Sequence, residues 1–136
     1  MKKIIVLLCI AISSTQLGLC PPDKTLIIGM EAPVKPYEKL WLACCMVESS
    51  NDSLALNIPE GATGIVQIRP IKLLDYNQRT GKGYHIRDCY NIKISKEIWY
   101  YYVSKFSPDD LVGICREWNG KGIKHKEYIE KIKKHL

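Results

Sequence analysis

The stretch "CCMVESSNDSLALNIPEGATGIVQI", residues 44–68, changes character twice. It begins inside an apolar periodic segment, passes through a run rich in Ser, Asn, Asp, Pro and Gly, and ends on β-branched residues. Upstream, Leu40, Ala43, Cys44 and Val47 recur at helical spacing, and Trp41 and Cys45 widen the stripe. That spacing predicts a helix over 37–49, amphipathic to fully buried, with Pro36 suited to its first position. Residues 50–64 then read as a long ordered loop, and 65–68 as a short strand or hairpin edge. Loops of this length inside a compact domain are usually functional. At the junction of helix and loop stands a carboxylate, Glu48.

Working outward, Pro70 opens a second helix to about Arg79, stopped by Gly81 and Gly83. Ser95 can cap a helix through Phe106, with Ile98, Tyr102 and Phe106 at four-residue steps. The run "SPDDLVGICREWNGKG" carries a helix signature with Ser107 as cap, Pro108 first, and Leu111, Ile114, Cys115 and Trp118 as the apolar stripe. A last helix from about Lys124 packs Tyr128, Ile129, Ile132 and Leu136. The expected fold class is mainly α, of α+β type, with one small β element after the first helix.

A chain of 136 residues has room for one domain, and 46% apolar with 25% charged residues is the composition of a folded protein. Lys2 and Lys3 followed by the apolar run Ile4 to Ile12 read as an export signal, too short to span a bilayer, which divides the chain into a leader at 1–20 and a domain at 21–136. An uncleaved anchor is the competing reading. "LGLC", ending at Cys20, resembles a lipoprotein attachment site, although Leu19 stands where a small residue is expected.

Prolines at 21, 22, 33 and 36 make the segment after the leader extended. Cys9 falls in the leader, and Cys44, Cys45, Cys89 and Cys115 in the body can be buried small hydrophobes or contain a disulfide in any of three connectivities. Their spacing fits no zinc motif. The net charge of +6 becomes +4 once Lys2 and Lys3 are subtracted. Lysines 121, 124, 126, 131, 133 and 134 face only Glu127 and Glu130 near the end, so the basic C-terminal helix suits association with an anionic envelope polymer better than with nucleic acid.

Glu48 has a chemical reading of its own. A carboxylate at a helix C-terminus meets the negative end of the dipole, and Trp41, Cys44 and Cys45 share its face and can wall it with apolar surface. Both effects raise its pKa, and an acid kept protonated near neutral pH can protonate a glycosidic oxygen. The bland alternative is a solvated helix-end charge. The pattern around it, "ESSNDSLALNIPEGATGIVQI", resembles the catalytic motif of soluble lytic transglycosylases and goose-type lysozymes, in which Glu-Ser, a polar loop and an alanine precede Gly-Ala-x-Gly-Leu-Met-Gln. The matching residues are Glu48, Ser49, Ala55, Gly61, Ala62, Gly64 and Gln67. Downstream, "REWNGKG" is similar to the family's Tyr-Asn-Ala-Gly motif, with Trp118 and Asn119 at its first two positions, "DCYNIKISKEIWYYYV" resembles the helix before it, and Tyr128 falls where the family often places a further aromatic.

The resemblance spans about residues 40–132 and implies a lysozyme-like fold that cuts the β-1,4 bond between N-acetylmuramic acid and N-acetylglucosamine in peptidoglycan glycan strands. It implies Glu48 as the single acid and base, Ser49 as its support and a substrate contact, and Gln67, Asn119, Tyr101 and Tyr128 as the other substrate contacts, with neither metal nor organic cofactor. Trp118 can stack on a sugar or close the core stripe. Three departures stand out: Ile65-Val66 for Leu-Met, one extra residue between Glu48 and the glycine block, and Lys121 for a glycine.

Asp52, Glu60, Asp75 and Asp88 are candidate second carboxylates, none at a spacing that fixes its distance from Glu48. Other readings are a cysteine peptidase using Cys89 or Cys115 with His85, and a glycan-binding or envelope-assembly module without catalysis.

Overall fold

The prolines and glycines that punctuate the sequence also punctuate the fold. The computed structural model describes residues 36–136. The leader reading of 1–20, Cys9, Cys20 and the extended segment up to residue 35 lie outside the described residues. Among the described residues five α-helices carry the fold: α1 Glu38–Ser49, α2 Pro70–Thr80, α3 Ile92–Val103, α4 Leu111–Asn119 and α5 His125–Lys133. A two-stranded antiparallel hairpin, β1 Leu56–Asn57 and β2 Ala62–Thr63, follows α1, and a 3-10 turn, Ile86–Tyr90, precedes α3. The architecture is mainly α with a small β hairpin after the first helix.

Helix α3 is the central element. Ile98, Trp99 and Val103 are wholly buried on it, and the neighbouring helices supply Leu40, Trp41, Cys44 and Cys45 from α1, Ile114 and Cys115 from α4, and Tyr128 and Ile132 from α5. Trp41 meets Trp99 edge-on with ring centroids 5.4 Å apart, a geometry that aligns ring edge with ring face. The start of α1 is tied to α3 by Lys96, whose Nζ lies 2.8 Å from both Glu38 oxygens, and to the end of the α3 region by the Tyr37 hydroxyl, which donates to the Phe106 carbonyl at 2.7 Å. All four body cysteines are buried and unbridged. Burial pushes the Cys115 thiol up to about 11 and those of Cys45 and Cys89 up to about 12, so they behave as small apolar side chains.

Element boundaries depart from the sequence expectation wherever two cap formers compete. Ser95 does not begin α3. Asn91 does, its side chain accepting the Lys93 N–H at 2.9 Å, while the Ser95 hydroxyl turns inward and donates to the Cys89 carbonyl at 2.6 Å. The helix ends at Val103, and Phe106 lies in the turn that follows. Ser107 likewise gives way to Asp110, whose carboxylate accepts the Gly113 N–H at 2.8 Å and caps α4. An ionised acceptor at the positive end of a helix dipole outcompetes a hydroxyl, and a cap of this kind stabilises by about 1 kcal/mol. A Cβ at Gly113 would collide with that carboxylate, so the glycine is part of the cap.

Residues 65–68 do not form a strand of their own. Gly64 and Gln67 both have positive φ, +81° and +52°, which folds 64–67 into a turn and leaves only Ile68 bridged to Thr63. The hairpin lies upstream, inside the expected loop. Leu136, expected in the core, is exposed. On α1, Leu42 and Met46 also face outward, so that helix is amphipathic rather than buried all round.

Candidate functional site

Helix α1 stops abruptly after Glu48 and Ser49. Ser50 and Asn51 both adopt left-handed backbone, and their N–H groups return to the Met46 and Cys45 carbonyls at 3.0 Å. Two consecutive non-glycine residues in that region store strain, which concentrates at functional sites. The turn holds Glu48 on the last helical turn while the chain reverses into the hairpin. Ser49 secures the reversal: its hydroxyl donates to the Ile65 carbonyl at 2.8 Å and accepts the Asp52 N–H at 3.0 Å. With both functions used, Ser49 supports the acid's backbone and has little left for a ligand, which corrects its expected substrate contact.

The Glu48 carboxyl opens into a cleft of about 90 Å³ between the hairpin and the end of α4, lined also by Asn57, Glu60, Gln67, Arg69, Lys72, Trp118 and Asn119. Burial is the main influence on its pKa and raises it. A hydrogen bond donated by the Tyr128 hydroxyl at 2.8 Å opposes this, as do Arg69 and the Trp118 side chain, while Glu60 adds to the rise. The shift is upward, so the acid keeps its proton to higher pH than a free glutamate. A carboxylic acid held in this way at the wall of an open cleft can donate a proton to a bound oxygen and take one back.

Tyr128, expected as a substrate contact, serves the acid directly, and it also lines the depression on the α5 side of Glu48. It is 7% exposed, its ring packs in the core, and its hydroxyl orients Glu48. Removing that hydroxyl in Tyr128→Phe removes a bond made to the ionised carboxylate, so the Glu48 pKa rises further and the alkaline limb of any activity that needs the protonated acid moves to higher pH. Activity at the optimum falls by about tenfold through lost orientation. A pH profile of the variant that coincides with the wild type would show that the hydroxyl does not act on Glu48.

Gln67 reaches the cleft on a strained residue. Its Nε2 donates to the Gly64 carbonyl at 2.9 Å and the Ala55 carbonyl at 3.3 Å, which pins the loop and leaves the side-chain oxygen as the group offered to a ligand. Asn119, the last residue of α4, faces the same space. Tyr101 does not. It lies edge-on between Tyr76 and Tyr102, with centroids 5.2 Å away in each case, and under the Lys105 ammonium, away from the cleft lining.

Of the four candidate second carboxylates, Glu60 alone lines the cleft. It pairs with Arg69 at 2.8 Å. Asp75 bonds Arg79 and the Tyr102 hydroxyl, Asp88 accepts the His85 N–H, and Asp52 accepts the Leu54 N–H.

Lys72 escaped the sequence reading. Its Nζ donates to the Glu117 carbonyl at 2.8 Å and sits 4.4 Å and 4.7 Å from the ring centroids of Tyr102 and Trp118, and burial lowers its pKa to about 8. This cation props Trp118 against the cleft. No local signal distinguishes it from a solvated lysine, because its partners come from α3 and α4.

No protein-family model matches the chain, and no match was found among curated proteins or solved structures.

Proposed function

We propose that this domain cleaves the β-1,4 bond between N-acetylmuramic acid and N-acetylglucosamine in peptidoglycan, by the lytic transglycosylase route of the family its motifs resemble. The observation that carries the reading is Glu48: its pKa raised by burial, oriented by Tyr128, and open to a cleft that Gln67 and Asn119 also line. In this reading Glu48 protonates the glycosidic oxygen as the C1–O bond breaks, and the substrate's N-acetyl oxygen supports the cation at C1. The resulting carboxylate then takes the proton of the 6-hydroxyl as that oxygen attacks C1. No water is consumed, and Glu48 ends protonated.

Glu60 favours a second reading, lysozyme-type hydrolysis. A carboxylate on the hairpin side of the same cleft is where a water-activating base belongs in a two-carboxylate mechanism. Its ion pair with Arg69 occupies it, which is why the anhydro route is preferred here. Mass spectrometry of products released from purified peptidoglycan decides between them. The expected products end in 1,6-anhydro sugars, one water lighter than hydrolytic ends. Predominant reducing ends would transfer the reaction to the Glu48–Glu60 pair, and no released fragment at all would leave a binding or envelope-assembly module.

A further inference from the structure

Glu48 and Asn119 border a second depression, on the side facing α5, of about 220 Å³. A ligand with its reacting bond at Glu48 therefore has room on both sides of the acid. The two sides differ in character. Toward the hairpin, the cations Arg69 and Lys72 are committed, one to Glu60 and the other to the Glu117 carbonyl and two aromatic rings. Toward α5, the depression is walled by Lys124 and Lys131, and neither is in an ion pair among the described residues.

Lys124 at the cap of α5 and Lys131 within it stand seven positions apart, two helical turns, so they line one side of the helix about 10 Å apart along its axis. Glu127 lies between them and lines the same space, likewise unpaired among the described residues. Two lysines against Glu127 leave this arm at +1 when Glu48, at its inner end, carries its proton. The uncharged hydroxyl and acetamido groups of a sugar chain call for none of these charges. Carboxylates do.

We infer that the α5-side arm of the cleft, with Lys124 and Lys131, binds a carboxylate-bearing branch of the substrate, which on a muramyl strand is the peptide attached through the lactyl group. The inference rests on the proposed glycan substrate and adds to it which part of that substrate this arm recognises. Glu127 sets the pattern of the branch, since it accepts an amine or amide N–H lying between two anionic groups. On this view the basic character of the C-terminal helix is in part a substrate-binding feature.

The test measures binding apart from cleavage. Affinities are determined for short acid-washed glycan strands that carry their peptides and for the same strands stripped of peptides by an amidase, so that phosphate polymers are absent from both. The wild type is expected to prefer peptide-bearing strands by about three- to tenfold, the range two exposed charge pairs supply. In Lys124→Gln/Lys131→Gln the ratio of the two affinities falls toward one, and Lys124→Arg/Lys131→Arg restores it. Lys126→Gln/Lys134→Gln, which removes equal charge from the same end of the chain but away from the depression, keeps the ratio. A wild-type ratio of one overturns the inference, as does a ratio unchanged in the glutamine pair or lost equally in the Lys126/Lys134 control. A wild type that shows the preference yet releases no fragments would sink the cleavage reading while leaving the arm assigned.

Discussion

Glu48→Gln is expected to lower fragment release from peptidoglycan by at least about 10³-fold while leaving the protein more stable than the wild type at neutral pH. Both halves follow from one fact, that burial penalises the ionised carboxylate. Glutamine keeps the shape and can still accept the Tyr128 hydrogen bond, but it has no proton to give at this acidity, so the step that breaks the glycosidic bond loses its acid. The stability half follows from linkage. The folded-state pKa is raised above its unfolded value, so the contribution of Glu48 to folding is full below the unfolded pKa and is lost as pH rises through the folded one. The variant has no such loss. Its melting temperature should match the wild type near pH 4 and exceed it at pH 7. Activity retained in the variant ends the role assigned to Glu48. A melting temperature that does not gain on the wild type between those two pH values would mean that the side chain is not desolvated.

Local chemistry made α1, α2 and the position of Glu48 legible in advance. Pro70 starts α2 and Gly81, at φ +71°, stops it, and both signals act within one turn of chain. The starts of α3 and α4 were misread because Asn91 and Ser95, and Ser107 and Asp110, are pairs of competent caps within four residues. Only the fold decides which one meets free N–H groups. The site divides in the same way. That Glu48 sits on a helix end is local, but what makes it an acid includes Tyr128, eighty residues away, whose spacing reads equally well as plain core. Tyr101 sits in an aromatic run, Trp99 to Tyr102, that covers several helix faces, and periodicity cannot tell which one faces a ligand. Lys72 was missed for the converse reason, since a lysine in the first turn of an amphipathic helix carries no mark of the rings that will enclose it. Gln67 was legible as a residue beside two glycines, whereas its division of labour, nitrogen to the loop and oxygen to the cleft, depends on a backbone conformation glutamine seldom adopts.

That conformation hangs on Gly64, and Gly64→Ala should destabilise the domain by about 3–5 kcal/mol. The residue has φ +81°, and a Cβ there would collide with the carbonyl of Cys89. The carbonyl has no easy retreat, because it ends a 3-10 turn and is held at 2.6 Å by the buried Ser95 hydroxyl. Gly64 also donates its N–H to Ala55 and offers its carbonyl to both the backbone and the side chain of Gln67. A shift that relieved the clash would thus carry Gln67 out of the cleft. For a domain of this size the loss corresponds to a fall in melting temperature of at least about 10 °C. The protein that remains folded should cut more slowly at temperatures well below its transition. Gly61→Ala separates the two causes of this cost. It too has a left-handed backbone, φ +62°, but the nearest atom to its Cβ is the Pro70 ring at 3.3 Å, so it should lose only about 1–2 kcal/mol. If the two variants melt together, steric approach to Cys89 contributes nothing and backbone handedness alone fixes the loop. If Gly64→Ala melts well below Gly61→Ala, the cleft wall is set by how closely one glycine can lie against one carbonyl.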